Sequence, residues 1–361
     1  MSEALEQALA EALASLVAAV DTCEEDVLDP DTAVKWLEGS AYILDRLAPA
    51  DRRRLAGLFR AAALREPAGP WRDDLLKVGD GFGLDEDQHE LYCDAVESAV
   101  RRFVEAVRTA DPAAPVPSCP GWAFADLTRH HGTTHRWITH LVEHRVSERV
   151  WPREVRLDVP DDVGEYPDWL AAAAEESLRA LRSADPETPM WSPGADQHVR
   201  FYARRLLFEA VVHLADAELA LGRAPRVEAC AAADGIEEFL ENLPFFVPVA
   251  DRVAELGRDG GFGQQGASLR LCATDTGAAW TVVLGGEGGF RWENTARDAA
   301  GRAPVEAGSG EAGRGDAAVT VAGPAGELLL LVYGRREAGG AEFTVRGDRV
   351  VLDAWLAATV L

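Results

Sequence analysis

Residues 204–216, Arg-Arg-Leu-Leu-Phe-Glu-Ala-Val-Val-His-Leu-Ala-Asp, set an acid and an imidazole into a stretch that otherwise reads as buried helix. The spacing predicts an amphipathic helix from about Gln197 to Leu221. Gly222 follows the last periodic residue, and Pro225 prevents continuation. Leu206, Ala210, Val212, Ala217 and Ala220 lie near one face, and Glu209 and His213 fall on that face too. Four residues apart, the two polar side chains stand one turn above the other, roughly 6 Å apart. Burying an unpaired carboxylate costs several kcal/mol, so the stripe must supply a partner. A Glu–His hydrogen bond answers that need; so does a divalent metal held by both. The apolar face needs neighbours to cover it.

The flanking sequence supplies them. A helix is expected from about Asp85 to Ala110, with Leu91, Val96, Ala99, Phe103, Val104 and Val107 on its buried face, ended by Asp111-Pro112. The proline-rich turn 116–122 leads into a second, from about Phe124 to Val146. Leu127, His130, Trp137 and Leu141 share one face of it, with Thr134 between them. His130 is therefore expected to point inward, with Arg129, His131 and Arg136 pointing away. His135 falls at the rim, and His140 and His144 in solvent. A lone histidine on such a face is most often a satisfied core residue. A third helix runs from about Pro167 to Arg182, with Pro in its first turn, and the helix bearing Glu209 is the fourth. A shorter one, about Ala231 to Asn242, closes the region, and a Gly-rich linker follows over 257–266.

Residues 1–83 read as a separate helical module. Leu5, Leu9, Leu13, Leu16 and Val17 recur at helical spacing; Asp29-Pro30-Asp31 opens a second helix and Ala48-Pro49-Ala50-Asp51 a third. Pro67-Ala68-Gly69-Pro70 and Gly79-Asp80-Gly81 read as breakers. Beyond the linker the period changes. Strands are expected at Ser268–Ala273, Trp280–Leu284, Gly289–Trp292, Ala318–Ala322 and Glu342–Arg346, helices at Pro324–Tyr333 and Asp348–Thr359, and a loop over 297–316. The fold class is thus multidomain α and α+β: a helical module (1–83), a four-helix bundle (84–256) and a small α+β domain (266–361).

A net charge of −25, with acids spread along the chain, argues against nucleic acid and against an anionic membrane as partner. No apolar run approaches 18 residues, and Glu3, Glu6 and Glu11 break the first helix, so neither a membrane span nor a secretory leader is expected. The five cysteines are scattered, odd in number and in no Cys-x-x-Cys arrangement. They fit reduced thiols in a cytoplasmic protein.

Val116-Pro-Ser-Cys-Pro-Gly-Trp122, His130 eight residues later, and Glu209-xxx-His213 with Asp216 together resemble the mycothiol-dependent maleylpyruvate isomerases, within the wider DinB-like group of metal-binding four-helix bundles. Leu269-Arg-Leu-Cys-Ala-Thr-Asp-Thr276 and the segment from Val321 to Arg335 are similar to that family's sterol-carrier-like C-terminal domain. The resemblance covers about 87–361. It implies that His130, Glu209 and His213 hold one divalent metal, zinc in the usual case. Two imidazoles and a carboxylate leave an open position, the pattern of catalytic zinc. Mycothiol, the low-molecular-weight thiol of actinobacteria, is implied as cosubstrate, and Cys119 as structural. Arg335 is implied as the catalytic arginine from the C-terminal domain, suited to clamp a substrate carboxylate, with Arg336 adjacent. Asp216 fits either an orienting partner of His213 or a helix-surface acid. Many relatives carry His at the position of Phe208 and Arg at that of Leu214, so a more apolar pocket is expected here. The implied function is a metal- and mycothiol-dependent transferase or isomerase acting on an electrophilic small molecule. The rival is a non-catalytic metal- or thiol-binding module whose residues 1–83 contact a partner protein.

Overall fold

The computed structural model describes residues 3–24, 27–44, 46–47, 49–67, 69–84, 88–258, 267–285, 289–294 and 317–360. The chain forms two compact units, one over Met1–Leu91 and one from Tyr92 onward. The expected linker segment 259–266 and loop 297–316 lie outside the described residues.

The first unit comprises α1 (Glu3–Asp21), α2 (Pro30–Leu44), α3 (Pro49–Arg65) and α4 (Pro70–Gly81). α4 replaces what the sequence offers as breakers: Pro70 opens the helix, where its missing N–H is no loss, and Gly81 ends it. α1 buries Ala10, Ala14, Val17 and Ala18 against Phe59, Leu75 and Val78. Leu5, Leu9 and Leu16, expected inside, are 50%, 55% and 66% exposed. Both stripes have helical spacing, and the close approach of α1 to its neighbours selects the alanine side.

In the second unit, α5 (Gln88–Arg108), α6 (Phe124–His144), α7 (Tyr166–Ser183) and α8 (Arg200–Ala220) build one core around Phe103, Leu127, Leu141, Leu170, Leu181, Tyr202 and Leu206. α9 (Ala229–Asn242) and α10 (Val247–Arg258) follow. α10 is hidden in sequence because Pro248 sits in its first turn and Gly257 near its end. Strands β1 (Ser268–Ala273), β2 (Ala279–Leu284), β3 (Phe290–Asn294), β4 (Val319–Gly323) and β5 (Thr344–Gly347) form a mixed sheet of order β3-β2-β1-β4-β5. Only the β1–β4 pair is parallel. Alternation is regular: Leu269, Leu271 and Ala273 of β1 face a second core with Trp280, Leu328, Leu329 and Trp355. That core includes α11 (Ala325–Val332) and α12 (Arg349–Thr359), the latter capped by Asp348, whose side chain accepts from the Val350 N–H.

α8 is not the amphipathic helix expected. Leu206, Phe208, Ala210, Val212, Leu214 and Ala217 point in different directions and are all buried. Leu206 and Leu214 belong to the bundle core, while Val212 belongs to the sheet-side core. A helix apolar on all sides is one packed on all sides. No helix among the described residues is long and apolar enough to cross a membrane.

Candidate metal centre

Glu209 and His213 sit one turn apart on α8, and His130 reaches them from α6. One ligand atom from each lies within 4.8 Å of the others. Glu209 Oε2 is 3.3 Å from His213 Nε2 and 3.8 Å from His130 Nε2. Donors bound about 2.0–2.1 Å from one tetrahedral ion lie about 3.3 Å from each other, so these separations are near those a zinc ion needs. The donor set of two imidazoles and one carboxylate can hold one divalent metal with a position to spare.

The groups behind the three donors fix how they face. His213 Nδ1 is 2.9 Å from Asp216 Oδ2, which leaves Nε2 turned to Glu209. Asp216 is fully buried and is gripped in turn by Arg335, whose Nε and Nη2 donate to its two oxygens at 2.9 and 3.0 Å. Such carboxylate–histidine pairs orient a metal-binding ring and raise its basicity. On the other side, Arg205 Nη2 donates to Glu209 Oε1 at 2.5 Å, which leaves Oε2 facing the imidazoles. Arg205 Nη1 meets both oxygens of Glu238 at 3.1 and 2.9 Å and the Tyr333 hydroxyl at 3.2 Å. Glu238 of α9, Tyr333 and Arg335 thus brace Glu209 and His213 through Arg205 and Asp216.

Electrostatics follow from these pairs. Burial pushes the Glu209 carboxyl up, but the Arg205 guanidinium and the hydrogen bonds with His130 and His213 outweigh it and hold it well below the usual carboxylate value. Asp216 is also held far down: burial opposes ionisation, and His213 and Arg335 overcome it. Burial lowers His213, yet its bonds to Asp216 and Glu209 carry it above the ordinary imidazole value.

The turn before α6 delivers two more side chains. The Val116 N–H donates to the Trp122 carbonyl at 2.8 Å and the Trp122 N–H to the Cys119 carbonyl at 3.0 Å. Gly121 closes the turn at φ +85°, a conformation that L side chains resist. The Trp122 ring stands 5.1 Å from that of His130 and 6.5 Å from that of His213, forming a flat wall beside the donors. Cys119 Sγ donates to Asp216 Oδ2 at 3.3 Å. Burial, then the charge on Asp216, push its thiol up to about 11, so it stays protonated at neutral pH.

The structure brings together His130, Glu209, His213, Asp216 and Arg335. It departs from the sequence reading at several points. The fork of Arg335 grips Asp216, a pairing the sequence reading did not foresee, and Arg336 pairs with Glu327 at 2.5 Å. Phe208 is buried beside Gly235 of α9, and Leu214 lies in the bundle core; neither makes the site more apolar. His131 and His135, expected at surface and rim, are fully buried, whereas the His130 side chain is 40% exposed. α6 turns Phe124, Leu127, Thr128, His131, His135, Ile138 and Val142 inward, a stripe whose two histidines conceal it from an apolar count. Arg205 is the residue of the cluster that the sequence reading did not name; its spacing of four from Glu209 is the signal that could have found it.

Residues 93–218 match the family model for the mycothiol maleylpyruvate isomerase N-terminal domain. The match spans α6 and α8 almost whole and ends before Arg335, whose place at the site rests on geometry alone. No curated protein matches the chain. The segment that carries the His130–Glu209–His213 cluster is therefore similar to the mycothiol maleylpyruvate isomerase N-terminal domain.

Proposed function

We propose that the protein is a metal-dependent enzyme that joins mycothiol to an electrophilic small molecule, as an S-transferase or as an isomerase acting through a thiol adduct. One observation carries this reading: two imidazoles and a carboxylate whose ligand atoms lie within 4.8 Å of one another, inside the segment that matches the mycothiol family model. His130, Glu209 and His213 are the proposed ligands. A zinc ion there would supply an open position that takes a thiol as thiolate at neutral pH. Asp216 holds the His213 ring, and Arg335 holds Asp216. Arg205 keeps one carboxylate oxygen of Glu209 turned to the imidazoles. Trp122 provides the wall against which the reactants lie. Cys119 keeps its proton, so the chain offers no thiolate of its own beside the cluster, and the nucleophile comes from outside.

In this reading α5 to α8 form a DinB-like bundle, the sheet with α11 and α12 a sterol-carrier-like domain, and the chain divides at 1–83, 84–256 and 266–361. The second reading, a binding module whose first helices meet a partner protein, is favoured by Leu9, Leu16, Trp36 and Ile43, all more than half exposed in the first unit.

Cobalt-substituted protein tests the proposal. Mycothiol is expected to produce a sulfur-to-cobalt charge-transfer band in the near ultraviolet, with release of a proton. Glu209→Ala is expected to lose most of the metal by elemental analysis. Full metal retention in that variant, or no spectral response to any thiol, refutes the reading.

A further inference from the structure

We infer that the site takes an uncharged, flat electrophile and turns away dicarboxylates, an inference that rests on the function proposed above. The two guanidinium groups that reach the cluster are both closed. Arg335 has every nitrogen engaged: Nε and Nη2 with Asp216, and Nη1 with the Tyr333 carbonyl at 2.5 Å. Its side chain is 9% exposed. Arg205, 11% exposed, is held between Glu209 and Glu238. Arg336, beside Arg335, faces Glu327, and Arg204, beside Arg205, is paired with Asp234 and Glu241. A substrate carboxylate at the cluster therefore finds neither the Arg335 nor the Arg205 fork open to it.

The charge balance points the same way. Glu209, Asp216 and Glu238 oppose Arg205 and Arg335, which leaves one net negative charge around the cluster. A bound dication turns that into one net positive charge, and one thiolate cancels it. A dianion entering this neutral, half-buried centre gains nothing to replace its water. At longer range the chain's −25 charge repels it further. The open side instead offers the indole of Trp122 beside the partly exposed His130, a surface for a planar, uncharged group.

The test is calorimetry on the zinc-loaded full chain with saturating mycothiol, using two unreactive probes of similar size. N-ethylsuccinimide is flat and uncharged; succinate is a dianion. N-ethylsuccinimide is expected to bind at least about tenfold more tightly, and Trp122→Ala to weaken it without strengthening succinate. Asp216→Asn, held at saturating zinc, opens the Arg335 fork and is expected to raise succinate affinity at least about tenfold. Glu238→Gln frees charge on Arg205 without touching a proposed ligand, and is expected to move succinate in the same direction. Succinate binding the unaltered protein as tightly as N-ethylsuccinimide, or gaining nothing in either variant, overturns the inference. The thiol band of the cobalt protein is read first. Its absence refutes the function and this inference with it, whereas a normal band with tight succinate binding refutes this inference alone.

Discussion

His135 lets the cost of the buried histidines be worked out in advance. The ring is wholly buried, its Nδ1 is 2.7 Å from the Ser177 hydroxyl, and its Nε2 has no partner among the described residues. Burial lowers its pKa from 6.5 to about 4. A group depressed in the folded state contributes stability that is present above the unfolded value and is lost as pH falls through the folded one. At pH 5 the unfolded imidazole is almost fully protonated and the folded one almost not at all. The gap of about 1.5 pH units below 6.5, at about 1.4 kcal/mol each, removes about 2 kcal/mol of stability between pH 7.5 and pH 5. His135→Leu abolishes this term at nearly constant volume. The Ser177 hydroxyl still donates to the Ala174 carbonyl, so no donor is orphaned. The assay is thermal melting of metal-free protein at the two pH values. The variant is expected to lose about 4–8 °C less than the wild type on acidification, the shift that about 2 kcal/mol gives in a unit of this size. Equal acid shifts in the two proteins would refute the reasoning and imply that His135 exchanges protons with water.

Other perturbations follow from the same contacts. Arg205→Met leaves Glu209 and Glu238 buried without their shared cation. It is expected to cost about 3–5 kcal/mol in metal-free protein, and zinc should recover part of that; a melting temperature that neither falls nor responds to zinc contradicts it. Arg335→Lys keeps the charge but loses the two-pronged grip on Asp216. Zinc affinity, measured by competition with a chelating dye, is expected to fall about 10–100-fold with the fold retained. Gly121→Ala places a side chain at φ +85°, at a cost of about 1–2 kcal/mol. It should displace Trp122, seen as altered quenching of its fluorescence by zinc or cobalt.

The site was more legible in sequence than the packing around it. Glu209 and His213 stand out because two polar groups one turn apart in an apolar helix need partners, the resemblance adds His130, and the structure sets Glu209 and His213 3.3 Å apart. The strands of the C-terminal region were legible to within one or two residues because alternation has a period of two and short runs leave little choice. Periodicity could not say which of two adjacent stripes on α6 faces inward, since histidine is scored as polar whether it binds a metal, as proposed for His130, or fills a core, as His131 does beside Phe103 at 4.9 Å. Nor could it reveal that Arg335 pairs with Asp216, because that pairing depends on how the sheet-side core docks on α8. In α1, alanine and leucine stripes alternate with the same period, and only the distance to the neighbouring helices decides between them.

The hydrogen bond between Arg335 and Asp216 spans 119 residues of chain, and the contact between Arg335 and Cys119 spans 216. During synthesis, His130, Glu209 and His213 leave the ribosome long before the arginine that steadies them. A nascent bundle can bring the three donors together, yet Asp216 has only His213 and Cys119 as partners until the segment that carries Arg335 has docked. The centre therefore matures late, among the last long-range contacts of its unit to close. On the proposed function, metal taken up before that moment meets donors free to turn, and metal taken up after it meets donors already set.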